Sequence, residues 1–246
     1  MSNTSTYVWT PPPELVEQSN LTAFLRATGQ PDYDALAIKA DADPAWLMEQ
    51  VFRFCGVRFC RPYDQVLDLS RGLPWARWCV GGTTNIVLNC IDKHEGTPVW
   101  DQAFLVWEGE DVRERRTLTY RDFAHDVGRV AQALVGLGIA RGDVVAIYMP
   151  NLSETFVAFF AILKIGAIVL PLFSGFGPKP IETRLNHGGA KAVITASGTW
   201  RRGTPAPLKA VLDAALEAVP TVRYVSVAAR SGLPVDTPMR ASRDPW

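Results

Sequence analysis

The eighteen residues from Phe156 to Phe173, FVAFFAILKIGAIVLPLF, carry a single charge, at Lys164. A run that apolar is long enough to cross a bilayer as one helix, or it is the buried interior of an α/β domain. Its punctuation decides between the two. Asn151 and Ser153 stand before it as helix-start residues, Gly166 interrupts it, and AIVLPL after the glycine is short, β-branched and bounded by a turn. A helix that ends near Gly166, followed by a buried strand, therefore replaces a single span.

The same alternation continues on both sides. AFLVWE and RRTLTY read as strands, and Thr119 to Asp122 forms a capping box at the start of a helix. That helix sets Phe123, Val127, Val130, Ala131, Leu134 and Leu137 at spacings of three and four, and ends near Gly136 and Gly138. VVAIYM is a strand stopped by Pro150. After AIVLPL come the loop Phe173 to Gly177, a short helix ending near Gly188 and Gly189, the strand KAVIT, a helix from about Leu208 to Ala218, and the strand RYVSV. Apolar strands alternating with helices predict a mostly parallel sheet covered on both faces, with right-handed crossovers: the α/β class.

Residues 1 to about 90 are punctuated differently. Ser19-Asn20 caps LTAFLRAT, which stops at Gly29, and Asp43-Pro44 starts AWLMEQVFRFC, which stops at Gly56. Short helices joined by irregular stretches predict an extension over residues 1–95 ahead of an incomplete α/β subdomain over 96–246. Trp46, Phe52, Phe54, Trp75 and Trp78 are expected to anchor by buried area. Cys55, Cys60, Cys79 and Cys90 lack metal-ligand spacing and are expected as buried thiols in a reducing compartment. MSNTSTYVWTPPPE has neither the basic nor the apolar region of a signal peptide, which points to the cytoplasm. The closing stretch, RSGLPVDTPMRASRDPW, has no regular period and reads as a loop crossing to a further element, as in a shortened chain.

Twenty-five basic and twenty-five acidic residues cancel, so no overall field favours nucleic acid or an anionic membrane as partner. His94, His125 and His187 are scattered, with no nucleophile in an elbow context. Glu108, Glu110 and Asp111 form an acidic turn, and Arg113 to Arg116 (RERR) a solvated hairpin edge. The chemistry-bearing candidate is the loop Phe173-Ser174-Gly175-Phe176-Gly177. It follows a strand at the carboxyl edge of the sheet, where loop N–H groups meet anions, and Arg184, Lys191, Arg201, Arg202 and Lys209 follow it to supply charge. Composition leaves a plain βα turn and a ligand loop both open. The two glycines fall short of a dinucleotide fingerprint, and no GxxxxGK[ST] occurs.

A set of stretches in fixed order, SNLTAFLRATG, DPAWLMEQVFRFCGVRF, PWARWCVGGTTNIVLNCIDKH, LVWEGED, LTYRDF, GDVVAIYMPNLSETFVAFFAILKIGAIVLPLFSGFG and GAKAVIT, resembles the N-terminal portion of an acetyl-CoA synthetase-like acyl-CoA synthetase, an AMP-forming, adenylate-forming ligase. The resemblance covers nearly all of residues 15 to 245. It implies that the parent enzyme uses ATP, CoA and Mg²⁺ to turn a short-chain carboxylate into an acyl-adenylate and then a CoA thioester. It implies further that Phe173, Ser174 and Gly175 border the CoA nucleotide and that Arg201 reaches its 3′-phosphate. Ser174 departs from a glycine of that pattern, and Thr204 stands where a second phosphate-facing arginine is expected, with Arg202 as its substitute. The family's ATP loop, of the type TSGTTGxPKG, is not in the sequence, so neither a catalytic residue nor a metal ligand is assigned. The alternative to a synthetase fragment is a non-catalytic module that binds CoA, or docks on a partner or a second copy through exposed sheet surface.

Overall fold

The structure, a computed structural model, describes residues 8–111, 113–230, 233 and 236–244. The chain divides between Thr84 and Asn85 into two compact units. In the first, α1 (Pro13–Glu17), α2 (Asn20–Thr28), α3 (Tyr33–Ala42) and α4 (Pro44–Phe54) precede an antiparallel pair, β1 (Gln65–Asp68) with β2 (Arg77–Val80). The caps of α2 and α4 form as their residue types require. The Ser19 hydroxyl accepts from the Thr22 N–H at 3.1 Å, Gly29 takes the left-handed conformation at φ 67°, and the Asp43 carboxylate accepts from the Trp46 N–H at 3.0 Å. The pair β1–β2 and the helices α1 and α3 add to the two expected helices.

The aromatic anchors of this unit are less buried than expected. Trp46 and Phe52 are half-buried, while Phe54, Trp75 and Trp78 are exposed. Only Leu36 and Val66 are fully buried apolar residues here among those described, so the rings pack on one another. Phe24 meets Phe54 edge-on at 5.2 Å, and Phe59 meets Phe52 and Tyr63 at 5.6 and 5.1 Å. The expectation of buried cysteines also fails. Cys55, at the end of α4, and Cys60, in the irregular segment after it, are exposed, and Cys79 and Cys90 are half-buried.

The second unit begins with α5 (Ile86–Cys90) and an antiparallel pair, β3 (Ala103–Glu108) with β4 (Arg115–Thr119). There follow α6 (Tyr120–Gly136), β5 (Val144–Tyr148), α7 (Ser153–Lys164), β6 (Ile168–Leu172), α8 (Pro178–Gly188), β7 (Ala192–Ala196), the short β8 (Thr199–Arg201) and β9 (Thr204–Ala206), α9 (Leu208–Leu216) and β10 (Tyr224–Ala228). The parallel sheet has the order β10-β7-β5-β6, flanked by α6 packed with α7 and α8 packed with α9. The apolar run from Phe156 to Phe173 divides as expected: α7 stops at Lys164, Gly166 turns the chain at φ 73°, and β6 pairs with β5. Among the described residues no helix is long and apolar enough to cross a membrane.

The capping box at Thr119 is present in both directions: its hydroxyl accepts from the Asp122 N–H at 3.1 Å, and the Asp122 carboxylate accepts from the Thr119 N–H at 3.2 Å. Phe123, Val127, Ala131 and Leu134 carry the buried face of α6. The start of α7 differs from expectation, because Leu152 occupies the cap position and the Thr155 hydroxyl donates to the Pro150 carbonyl at 2.6 Å. β6 is also less buried than its composition suggests. The sheet order makes it an edge strand, which leaves Ile168 53% exposed and admits Pro171, whose missing N–H would break an interior ladder. In the basic run, Arg113 and Arg115 pair with Asp111 and Glu108 at the hairpin edge. Arg116 reaches Asp126 of α6 at 3.2 Å and Glu154 of α7 at 2.8 Å.

Residues 236–244 of the closing stretch dock on α9 and on β10, the other edge strand. Lys209, with no exposed surface, donates to Asp213 at 2.7 Å, to Asp244 at 2.8 Å and to the Pro238 carbonyl at 3.1 Å. Arg243 bridges the same two carboxylates, and its carbonyl accepts from the Val225 N–H of β10 at 2.9 Å. Lys209→Met keeps the stem's packing but leaves buried carboxylates short of a cation, and is expected to cost about 3–5 kcal/mol in denaturant unfolding. Acid acts on the same cluster. Burial alone would raise the Asp244 carboxyl, but hydrogen bonds from Lys209, the Arg240 N–H and Arg243 outweigh it and hold it below the usual range. Its stabilisation is therefore complete above the unfolded value of about 4 and is lost as pH falls through the lower folded value. Amide exchange followed down a pH series should show the segment 236–244 losing its protection below about pH 4, and earlier in Lys209→Met.

Candidate functional site

β5, β6 and β7 end at Tyr148, Leu172 and Ala196, and the segments that leave those ends converge at one edge of the sheet. From β6 the chain enters the loop Phe173 to Gly177 and then α8, with Gly177 at the cap and Pro178 as first helical residue, where no N–H is required. From β7 it runs into the β8–β9 hairpin. The hairpin pairs Arg201 directly with Thr204 across a two-residue turn whose central residues, Arg202 and Gly203, have φ of 53° and 74°. Positive φ at both positions is the primed turn that matches strand twist, and glycine at the second position adopts it without strain.

Loop and hairpin touch through Phe173 and Arg201. The Arg201 guanidinium stands 5.9 Å from the centre of the Phe173 ring, and Phe173 meets Phe176 edge-on at 5.6 Å. A Cβ on Gly175 would lie 2.5 Å from Phe173 Cε1 and 3.0 Å from an Arg201 guanidinium nitrogen, so any side chain there would force the Phe173 ring to shift. Among the described residues nothing comes within 4 Å of a Cβ built on Gly177. Phe173 is 60% exposed, and among the described residues no carboxylate forms an ion pair with Arg201 or Arg202. A cavity of about 500 Å³ opens beside them, with Met149, Asn151, Thr155, Leu172, Ser174 and Trp200 in its walls. An open aromatic face next to an unpaired guanidinium can hold a flat ring and an anion together.

Not every cation expected near the loop is there. Lys191 precedes β7 and pairs with Asp143 before β5, at the opposite edge of the sheet, and Lys209 is consumed in its buried ion pairs. Arg184 comes closer, stacked 4.4 Å from the centre of the Phe176 ring and donating to the Pro180 carbonyl. His94 packs edge-on against Tyr120, and His125 is exposed on α6 beside Asp126. One residue not singled out in the sequence matters most to the loop. Tyr148, the last residue of β5 and 1% exposed, donates its hydroxyl to the Phe176 carbonyl at 3.0 Å and lies 3.3 Å from the Ser174 carbonyl. The only sequence signal for it is a polar tip at the end of an otherwise apolar strand.

Comparison with known proteins agrees with this fold. Residues 93–245 match the family model described as AMP-binding enzyme, and residues 33–90 match that of the acetyl-coenzyme A synthetase N-terminus. The acetyl-coenzyme A synthetase of Mycobacterium tuberculosis is 37% identical over 96% of this chain and 34% of its own length. That of Rhodopirellula baltica is 40% identical over 86% of this chain and 31% of its own length. The acetoacetyl-CoA synthetase from Streptomyces lividans superposes with a TM-score of 0.85 at 23% identity, over 96% of this chain and 36% of that one, a likeness of fold. The chain spans about a third of the length of the curated relatives it matches. With most of its residues matched by the family model and its four parallel strands in place, the chain belongs to the AMP-binding enzyme family.

Proposed function

We propose that this chain is the CoA-facing portion of an AMP-forming acyl-CoA synthetase that activates acetate or another short-chain carboxylate. In the proposed reaction ATP and the carboxylate give an acyl-adenylate and pyrophosphate, and the CoA thiol then takes the acyl group and releases AMP. Phe173, Ser174 and Gly175 border the CoA nucleotide and Arg201 meets its phosphate. The observation that carries this assignment is the exposed Phe173 ring beside an Arg201 guanidinium with no carboxylate partner among the described residues, at the mouth of a cavity on the carboxyl edge of a parallel sheet. That edge is where open α/β sheets hold ligands, and guanidinium forks onto phosphate oxygens. ATP, CoA and Mg²⁺ belong to the complete enzyme. Residues 1–95 act as its N-terminal extension and 96–246 as the first part of its adenylating domain, in the cytoplasm.

The second reading, a non-catalytic docking module, is favoured by a different feature. A groove of about 570 Å³ runs between α6, α7 and the end of β10, floored by Met149, Val157, Ala158 and Ile194 and rimmed by Arg129 and Glu154. Apolar floor with a charged rim suits a protein partner, either the rest of the synthetase or a second copy.

Calorimetric titration of the 246-residue chain with CoA is expected to show binding that Arg201→Ala weakens at least about tenfold, the loss of one charge-assisted contact. Equal affinities for parent and variant would remove Arg201 from the site. The chain incubated with ATP, Mg²⁺ and acetate is expected to release no pyrophosphate above a buffer control. Release would show that adenylation is complete within these residues and overturn the assignment of a part-enzyme.

A further inference from the structure

Resting on the CoA reading of the loop, we propose that Tyr148 is a positioning residue for that site: its hydroxyl clamps the Ser174–Phe176 backbone and so sets the gap between the Phe173 ring and Arg201. The strand supplies the fixed end of the clamp. β5 is bonded on both sides, to β6 and to β7, and the buried Thr195 hydroxyl donates to the Tyr148 carbonyl at 2.8 Å. The phenol therefore projects from a strand bonded on both sides into a loop that no sheet ladder holds.

At the loop end, the Tyr148 hydroxyl donates to the Phe176 carbonyl at 3.0 Å. The Phe176 N–H donates to the Phe173 carbonyl at 2.9 Å, which closes the turn. The ring of Phe173 then folds over Gly175, where even one added carbon would collide with Phe173 and crowd Arg201. A shift of the Phe176 carbonyl would be passed on to the Phe173 ring through that turn, and from the ring to the guanidinium. Burial pushes the Tyr148 phenol up to about 12 against the opposing charge of Arg201, so the donor proton is retained throughout the neutral range. The clamp is thus unchanged across the neutral range, and in this proposal Tyr148 acts through the loop and not on the ligand.

Tyr148→Phe keeps the buried ring and removes only the donor. In the ligand-free chain, amide exchange at Ser174 to Gly177 is expected to accelerate in the variant while exchange in β5 and β7 is unchanged. CoA affinity is expected to fall about tenfold, one hydrogen bond's equivalent, with the salt dependence of the parent retained. Arg201→Ala differs in kind, because it flattens the salt dependence by removing a charge. Unchanged loop exchange in Tyr148→Phe overturns the clamp. Faster exchange with parent-level CoA affinity overturns its bearing on the site. Faster exchange together with no CoA binding by the parent chain supports the clamp and overturns the CoA reading instead.

Discussion

A parallel strand bonded on both sides and covered on both faces has almost no solvent surface of its own, and β5 is, with β7, one of two such strands here. Val145, Ala146, Ile147 and Tyr148 are all buried, and its ladders to β6 and β7 run nearly its full length. Everything that can meet a ligand must then hang from the strand ends. The loop after β6 and the hairpin after β7 are brought together because their parent strands flank β5. Phe173 and Arg201, 28 positions apart in sequence, become neighbours through that pairing alone.

The two edges of the sheet are treated differently. β6 exposes its outer side and carries Pro171, so it offers a weak ladder to any incoming strand. β10 is instead covered by residues 236–244, which form neither helix nor strand. A coil whose described residues make a single backbone bond to the edge strand would fray. The buried Lys209–Asp213–Arg243–Asp244 cluster supplies what the ladder lacks, since two cations and two carboxylates satisfy one another away from water. Such a cluster costs desolvation that apolar packing would not, and in exchange it fixes where the segment lies.

Local signals were legible in the sequence and contact-dependent ones were not. The capping box at Thr119, the glycine stops at Gly29, Gly166 and Gly189, and the strand–helix alternation each depend on residues within a few positions of one another, and each forms as expected. Lys209 looked like a free cation because its partners, Asp213 and Asp244, include one 35 positions away. Pro171 did carry the edge-strand signal, outweighed in the sequence by the apolar run around it. Of the candidate site, the loop and Arg201 could be named from their places at strand ends. Tyr148 could not, because its role arises where the end of one strand reaches the loop leaving the next. The exposed Trp75 and Trp78 mark the reverse error: aromatic size predicts area, but burying it needs a facing surface, and the first unit has only two fully buried apolar side chains among its described residues.

The hairpin register bears on whether Arg202 could stand in for the second phosphate-facing arginine that the family resemblance leads one to expect at position 204. Arg201 and Thr204 are directly opposed, so their side chains leave the same face, and an arginine at 204 would stand beside Arg201. Arg202 lies in the turn at φ 53°, outside that directly opposed pair. A cation at 202 therefore adds charge to the hairpin tip without restoring the two-pronged arrangement. In the proposed site, one guanidinium steadied against the Phe173 ring must then do the phosphate recognition. That places the greater demand on whatever holds Phe173, and hence on the strand-borne hydroxyl of Tyr148 beneath the loop.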